Sequence, residues 1–147
     1  MLPKKRWFIL FVLLMILFLA CDTGPKSGRG FRLPDGDSEK GKVAFVDLKC
    51  NECHVVKGVD LAPASGSSHV MVTLGGETYQ IHTYGDLVTS IINPSHRITR
   101  GYPKETVEQD GKSKMLNFNG TMTVQQMIDL VAFLQSHYSF VPPEAVN

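Results

Sequence analysis

The chain has 147 residues, with 15 Lys and Arg against 14 Asp and Glu and a formal charge of +1 at pH 7. That length holds one small domain. The balanced charge, with no basic tail or basic helix face, excludes nucleic acid as a partner. Three cysteines are an odd number, which calls for an explanation in an exported chain.

Lys4, Lys5 and Arg6 precede an unbroken apolar run of 14 residues, Trp7 to Ala20. The run falls short of the roughly 20 residues of a membrane span and reads as the core of a secretory signal over residues 1–20. Leu17-Phe18-Leu19-Ala20-Cys21 resembles the lipobox of a bacterial lipoprotein, with Phe18 where leucine is more usual. That resemblance implies a lipid on Cys21. An uncleaved signal anchor is the alternative, and both hold the domain at a membrane face. Asp22, next to Cys21, resembles an inner-membrane retention signal, which implies the periplasmic side of the cytoplasmic membrane. A soluble periplasmic form is the alternative location.

Residues 21–36 are rich in Gly, Pro and Ser and read as a flexible tether. The domain is expected over residues 37–140, with a tail over 141–147. Asp37 or Ser38 caps a helix running to about Lys49, with Glu39 suited to its first turn. Gly41, Ala44, Phe45 and Leu48 share one face. A glycine inside a helix costs about 1 kcal/mol against alanine, so Gly41 marks a close helix crossing.

Cys50-Asn51-Glu52-Cys53-His54 follows, a C-x-x-C-H pentad. In an exported chain this spacing reads as covalent haem attachment. Each thiol adds across one haem vinyl group to leave a thioether, and the histidine that follows is the proximal axial ligand. A zinc site would want two further ligands at close spacing. A redox dithiol would want a βαβ setting. With Cys21 lipidated and Cys50 and Cys53 on haem, no cysteine remains for a disulfide.

Gly41-Lys42-Val43-Ala44-Phe45 followed by this pentad is similar to the opening of bacterial class I c-type cytochromes. The resemblance implies an all-α fold around one covalent haem c, with Gly41 and Phe45 packing against an aromatic of the last helix. It also implies a proline carbonyl, here on Pro63, that accepts a hydrogen bond from the free ring N–H of His54 and fixes its tautomer.

His69 to Tyr84 breaks the helical pattern. Val70, Val72 and Leu74 alternate, Gly75-Gly76 turns, and Tyr79, Ile81 and Thr83 alternate, which reads as an inserted β-hairpin. His82 within it is a further histidine for the iron, read by preference as solvent-facing. Gly85 to Asn93 reads as a short helix ended by Pro94. The Asn93-Pro94 to Gly101-Tyr102 stretch is similar to one in cytochrome domains fused to some terminal oxidase subunits. Arg97, Arg100 and Tyr102 are candidates for a haem propionate. Asp110-Gly111 predicts a second small β turn. Thr123 and Gln126 form a capping box for a final helix within Thr121–Tyr138, where Phe133 is the aromatic that meets the first helix.

The family's distal ligand is a methionine in the loop before the last helix. Met115 matches that place, with Leu116 where proline is usual. Met122 is the rival, Met127 reads as core, and Met71 lies in the hairpin. The function implied is single-electron transfer, with no catalytic residues beyond the haem and with a redox donor and acceptor as partners. Two alternatives remain: a haem subunit of a larger respiratory oxidoreductase, or a haem-based sensor or small-gas binder.

Overall fold

The computed structural model describes residues 28, 30–61 and 71–142. The signal segment, Cys21, Pro63 and His69 lie outside these described residues. No helix among them is long and apolar enough to cross a membrane. A first unit, Met1–Arg32, contributes one described turn, in which the Phe31 N–H donates to the Gly28 carbonyl at 3.1 Å. The second unit begins at Leu33, four residues before the expected boundary at Asp37. Leu33 packs at the edge of the core, and Gly36 lies against the Ile128 backbone and the Ala132 side chain.

Helix α1, Ser38–Asp47, starts where the sequence predicts. The Asp37 carboxylate accepts from the N–H groups of Glu39 (3.0 Å) and Lys40 (3.1 Å), which caps the helix. Those bonds, the Lys40 backbone first, hold the Asp37 carboxyl below its ordinary pKa. Gly41, Ala44 and Phe45 form the buried face of α1.

Helix α2, Tyr84–Ile92, opens with a reciprocal box. Asp86 N–H donates to Thr83 Oγ1 (3.2 Å), and the Thr83 backbone N–H donates to Asp86 Oδ2 (3.3 Å). Its Leu87, Val88 and Ile91 are buried, and a single 3₁₀ turn over Pro94–His96 follows. A one-turn helix α3, Lys104–Val107, precedes the last helix, α4, Val124–Ser136. The predicted box forms there too: Gln126 N–H donates to Thr123 Oγ1 (3.1 Å), and Thr123 N–H to Gln126 Oε1 (2.9 Å).

The core is the crossing of α1 and α4, with α2 laid against it. A Cβ on Gly41 would collide with the Asp129 carbonyl, so glycine alone permits this approach. Phe45 and Phe133 meet edge to face, ring centroids 5.7 Å apart, a geometry worth about 0.5–1.5 kcal/mol beyond burial. Asp129, 4% exposed, accepts from the Asp37 N–H (2.9 Å) and from Gln125 Nε2 (3.0 Å). This buried carboxylate thereby ties the start of α1 to the middle of α4.

Six short strands complete the described residues: β1 His54–Val56, β2 Val72–Leu74, β3 Gly76–Thr78, β4 Glu108–Gln109, β5 Lys112–Ser113 and β6 Tyr138–Phe140. β4 and β5 form the predicted small hairpin, with Asp110 (φ 51°) and Gly111 (φ 76°) both left-handed at its turn. The larger inserted hairpin is corrected. β2 and β3 are strands, but they do not pair with each other. β2 pairs in parallel with β1, and β3 pairs in parallel with β6. Gly75 (φ 79°) and Gly76 (φ 88°) pass the chain from one ladder to the next, and the Gly76 N–H donates to the His137 carbonyl at 2.7 Å.

Candidate haem site

The site begins where α1 ends. Lys49 takes a left-handed conformation (φ 57°) and turns the chain into a single 3₁₀ turn, Cys50–Glu52. Glu52 N–H donates to the Lys49 carbonyl (3.0 Å), and Cys53 N–H to the Cys50 carbonyl (3.2 Å). Cys50 opens this turn and Cys53 closes it as its C-cap. Both thiols are free. Cys50 packs at the core edge, and Cys53 is exposed. Burial pushes the Cys50 thiol up to about 11, with the Cys53 charge adding to it and the local backbone opposing.

His54 opens β1, and the Val72 N–H donates to the Cys53 carbonyl beside it (2.8 Å). Burial lowers the imidazole's pKa. The Val72 backbone opposes weakly from nearby without reaching hydrogen-bond geometry. That direction favours the neutral ring, the form that ligates a metal. Its Nδ1 is buried and has no hydrogen-bond partner among the described residues. A buried polar atom in that condition asks for an explanation. In a ligating imidazole one nitrogen holds the metal and the other donates to a backbone acceptor. Pro63, the expected acceptor, lies outside the described residues. Two thiols that bracket one turn, followed by a half-buried imidazole, fit covalent haem. Among the described residues no three His, Cys, Asp or Glu side chains gather as ligands for a single ion.

Met115 follows β5 on a separate loop and is half-buried. Its N–H donates to Ser113 Oγ (3.2 Å), and the Ser113 N–H donates to Ser95 Oγ (3.1 Å). Lys114 adds bonds from its N–H to the Val107 carbonyl (3.0 Å) and from Nζ to the Glu105 carbonyl (2.6 Å). Met122 and Met127 pack against the core, and Met71 is exposed. Met115 is half-buried and is not part of that core cluster.

His82 is half-buried and stacks on Tyr138, centroids 4.5 Å apart. Arg97 and Arg100 are exposed, and Arg97 helps hold the Asp86 carboxyl below its ordinary pKa, after the larger effect of the Thr83 hydroxyl. The Tyr102 hydroxyl accepts from the Thr73 N–H at 2.9 Å. Sequence reasoning missed Asp129, Ser113 and the Thr83–Asp86 box. Only the box carries a local signal, the Thr-x-x-Asp spacing.

The family profile of cytochrome c matches residues 38–137. No curated relative and no solved structure shows a significant match to the chain.

Proposed function

The chain belongs to the cytochrome c family, and from that premise we propose that it is a single-haem electron carrier anchored to the periplasmic face of the cytoplasmic membrane. The family assignment makes it a haem-binding electron-transfer protein of mostly helical fold whose cofactor, haem c, is held covalently. When bound, the haem supplies an iron that takes up and gives out one electron.

The chain's own residues do the rest. Cys50 and Cys53 hold the group by thioether bonds, so it survives conditions that extract a merely ligated haem. His54 stays neutral through burial and serves as the proximal ligand. Met115 supplies the distal ligand, and a thioether there favours the ferrous state and raises the potential. Pro63, outside the described residues, is the acceptor that the family resemblance offers for the His54 ring. The observation that carries the reading is the Cys50–Glu52 turn followed by an imidazole whose buried Nδ1 is uncommitted.

The test is haem content of the purified chain. One haem per polypeptide should remain after acid-acetone extraction and be lost in the Cys50→Ala, Cys53→Ala double variant. Retention of haem by that variant overturns the covalent assignment. Support for the location comes from the apolar run ending at Ala20-Cys21, followed by Asp22. Intact mass should show loss of residues 1–20 and acyl chains on Cys21, blocked by Cys21→Ser. A chain still starting at Met1 in normally processing cells establishes a signal anchor instead.

A further inference from the structure

The proximal side of the site rests on a ladder two strands wide. His54 lies opposite Val72, and Val55 opposite Thr73. Two bonds closing the ladder are Val72 N–H to the Cys53 carbonyl and Lys57 N–H to the Leu74 carbonyl, each 2.8 Å. Val72 and Leu74 therefore turn their backbone groups toward β1, and Thr73 between them turns its own away. An isolated two-stranded ladder is marginal in water, and an outward N–H is ordinarily left to solvent. Here it is taken. The Thr73 N–H donates to the Tyr102 hydroxyl at 2.9 Å, across 29 residues of sequence. Gly101, at φ 85°, provides the left-handed turn that delivers the half-buried Tyr102.

We propose that Tyr102 is a positioning residue for His54. Its hydroxyl closes the open edge of β2, which steadies β1 and so holds the His54 imidazole in one orientation toward the haem. Ligand orientation is one of the means by which a protein tunes its metal. Tyr102 thus acts on the potential through Thr73 and the ladder. The inference rests on His54 being the axial ligand.

The experiment compares holoprotein variants. Tyr102→Phe keeps the ring and removes only the hydroxyl. The net worth of one hydrogen bond, about 1 kcal/mol, corresponds to about fivefold faster exchange of the Thr73 amide by NMR. The haem-shifted ring signals of His54 should move, and the midpoint potential should shift. Thr73→Pro removes the donor itself and spares the inward bonds of Val72 and Leu74, as an edge position allows. In that background Tyr102→Phe should shift the potential no further.

Unchanged Thr73 exchange in Tyr102→Phe overturns the proposal, as does faster exchange with unmoved His54 signals and potential. A full Tyr102→Phe shift on the Thr73→Pro background also overturns it, because Tyr102 then acts on the haem by another route. A wild-type spectrum without haem-shifted His54 ring signals overturns the ligand assignment itself, and the proposal with it. Exchange at Thr73 is read independently of that result.

Discussion

The α1–α4 crossing and the segments that carry the proposed haem ligands differ in how they are held. The crossing is held by side chains. Phe45 and Phe133 are each 1% exposed, and Gly41 lets the two backbones meet. The segments of the proposed ligands add hydrogen bonds to packing. Val56 of β1 is also 1% exposed, while the Cys53 carbonyl accepts from the Val72 N–H and the Met115 loop is tied to Ser113, Ser95 and Val107. Close packing resists any change of volume, whereas a short ladder has a preferred geometry that one bond can bias. On the proposal made for Tyr102, stability and redox tuning should be separable in this chain. Substitutions in the crossing should change how much protein is folded, and those in the ladders should change what the folded protein does.

The largest break in that comparison is Phe133→Ala. Truncating a fully buried ring against Phe45 should cost about 3–5 kcal/mol, read as a lowered denaturant midpoint, with the spectrum of the surviving folded fraction unchanged. Asp129→Ala comes next. It leaves the Asp37 N–H and Gln125 Nε2 without their acceptor, at about 1–3 kcal/mol, again without a spectral change. Thr83→Ala should cost about 1 kcal/mol by removing the cap of α2.

That cap also sets a pH window. The Asp86 carboxyl is held low, first by the Thr83 hydroxyl. A depressed folded pKa gives stability that is present above the unfolded value near 3.8. It is lost as pH falls through the folded value. The stability gap between wild type and Thr83→Ala should therefore narrow under acid, in unfolding curves taken from pH 6 downward. A gap constant with pH contradicts the cap's electrostatic share.

The smallest effect on stability and the largest on the spectrum should come from Met115→Ala. The ferric methionine band should vanish, the potential should fall and exogenous ligands should bind, with little shift in midpoint. Met122→Ala should do the reverse, lowering stability because Met122 packs on the core. Exchanged outcomes would make Met122 the ligand.

What could be read from the chain divides along the same line. Helix starts were legible because caps are local: Asp37 and the Thr123–Gln126 box sit where their spacing puts them. The crossing was legible through Gly41, Phe45 and Phe133 once the family pattern was seen. The thiol-bearing turn was legible because its chemistry is written in five consecutive residues. Strand partners were not. Alternation in Val72–Leu74 says which faces differ, but it carries no address for the partner, so a fold-back at Gly75-Gly76 was the natural expectation. The actual partners, β1 and β6, lie far off in sequence. Asp129 was hidden for a similar reason, since an acidic residue on a helix says nothing of an N–H 92 residues away.

That distance has a kinetic meaning. The first and last helices of the domain are the two that form its centre, so no partial chain contains a core. A product ending before Thr123 lacks Phe133, the ring that meets Phe45 edge to face. β6, which pairs only after α4 is complete, adds another late contact. Topologies dominated by remote contacts fold more slowly than local ones, because chain closure precedes the reward. During synthesis the domain should therefore stay open to proteases until its last helix emerges.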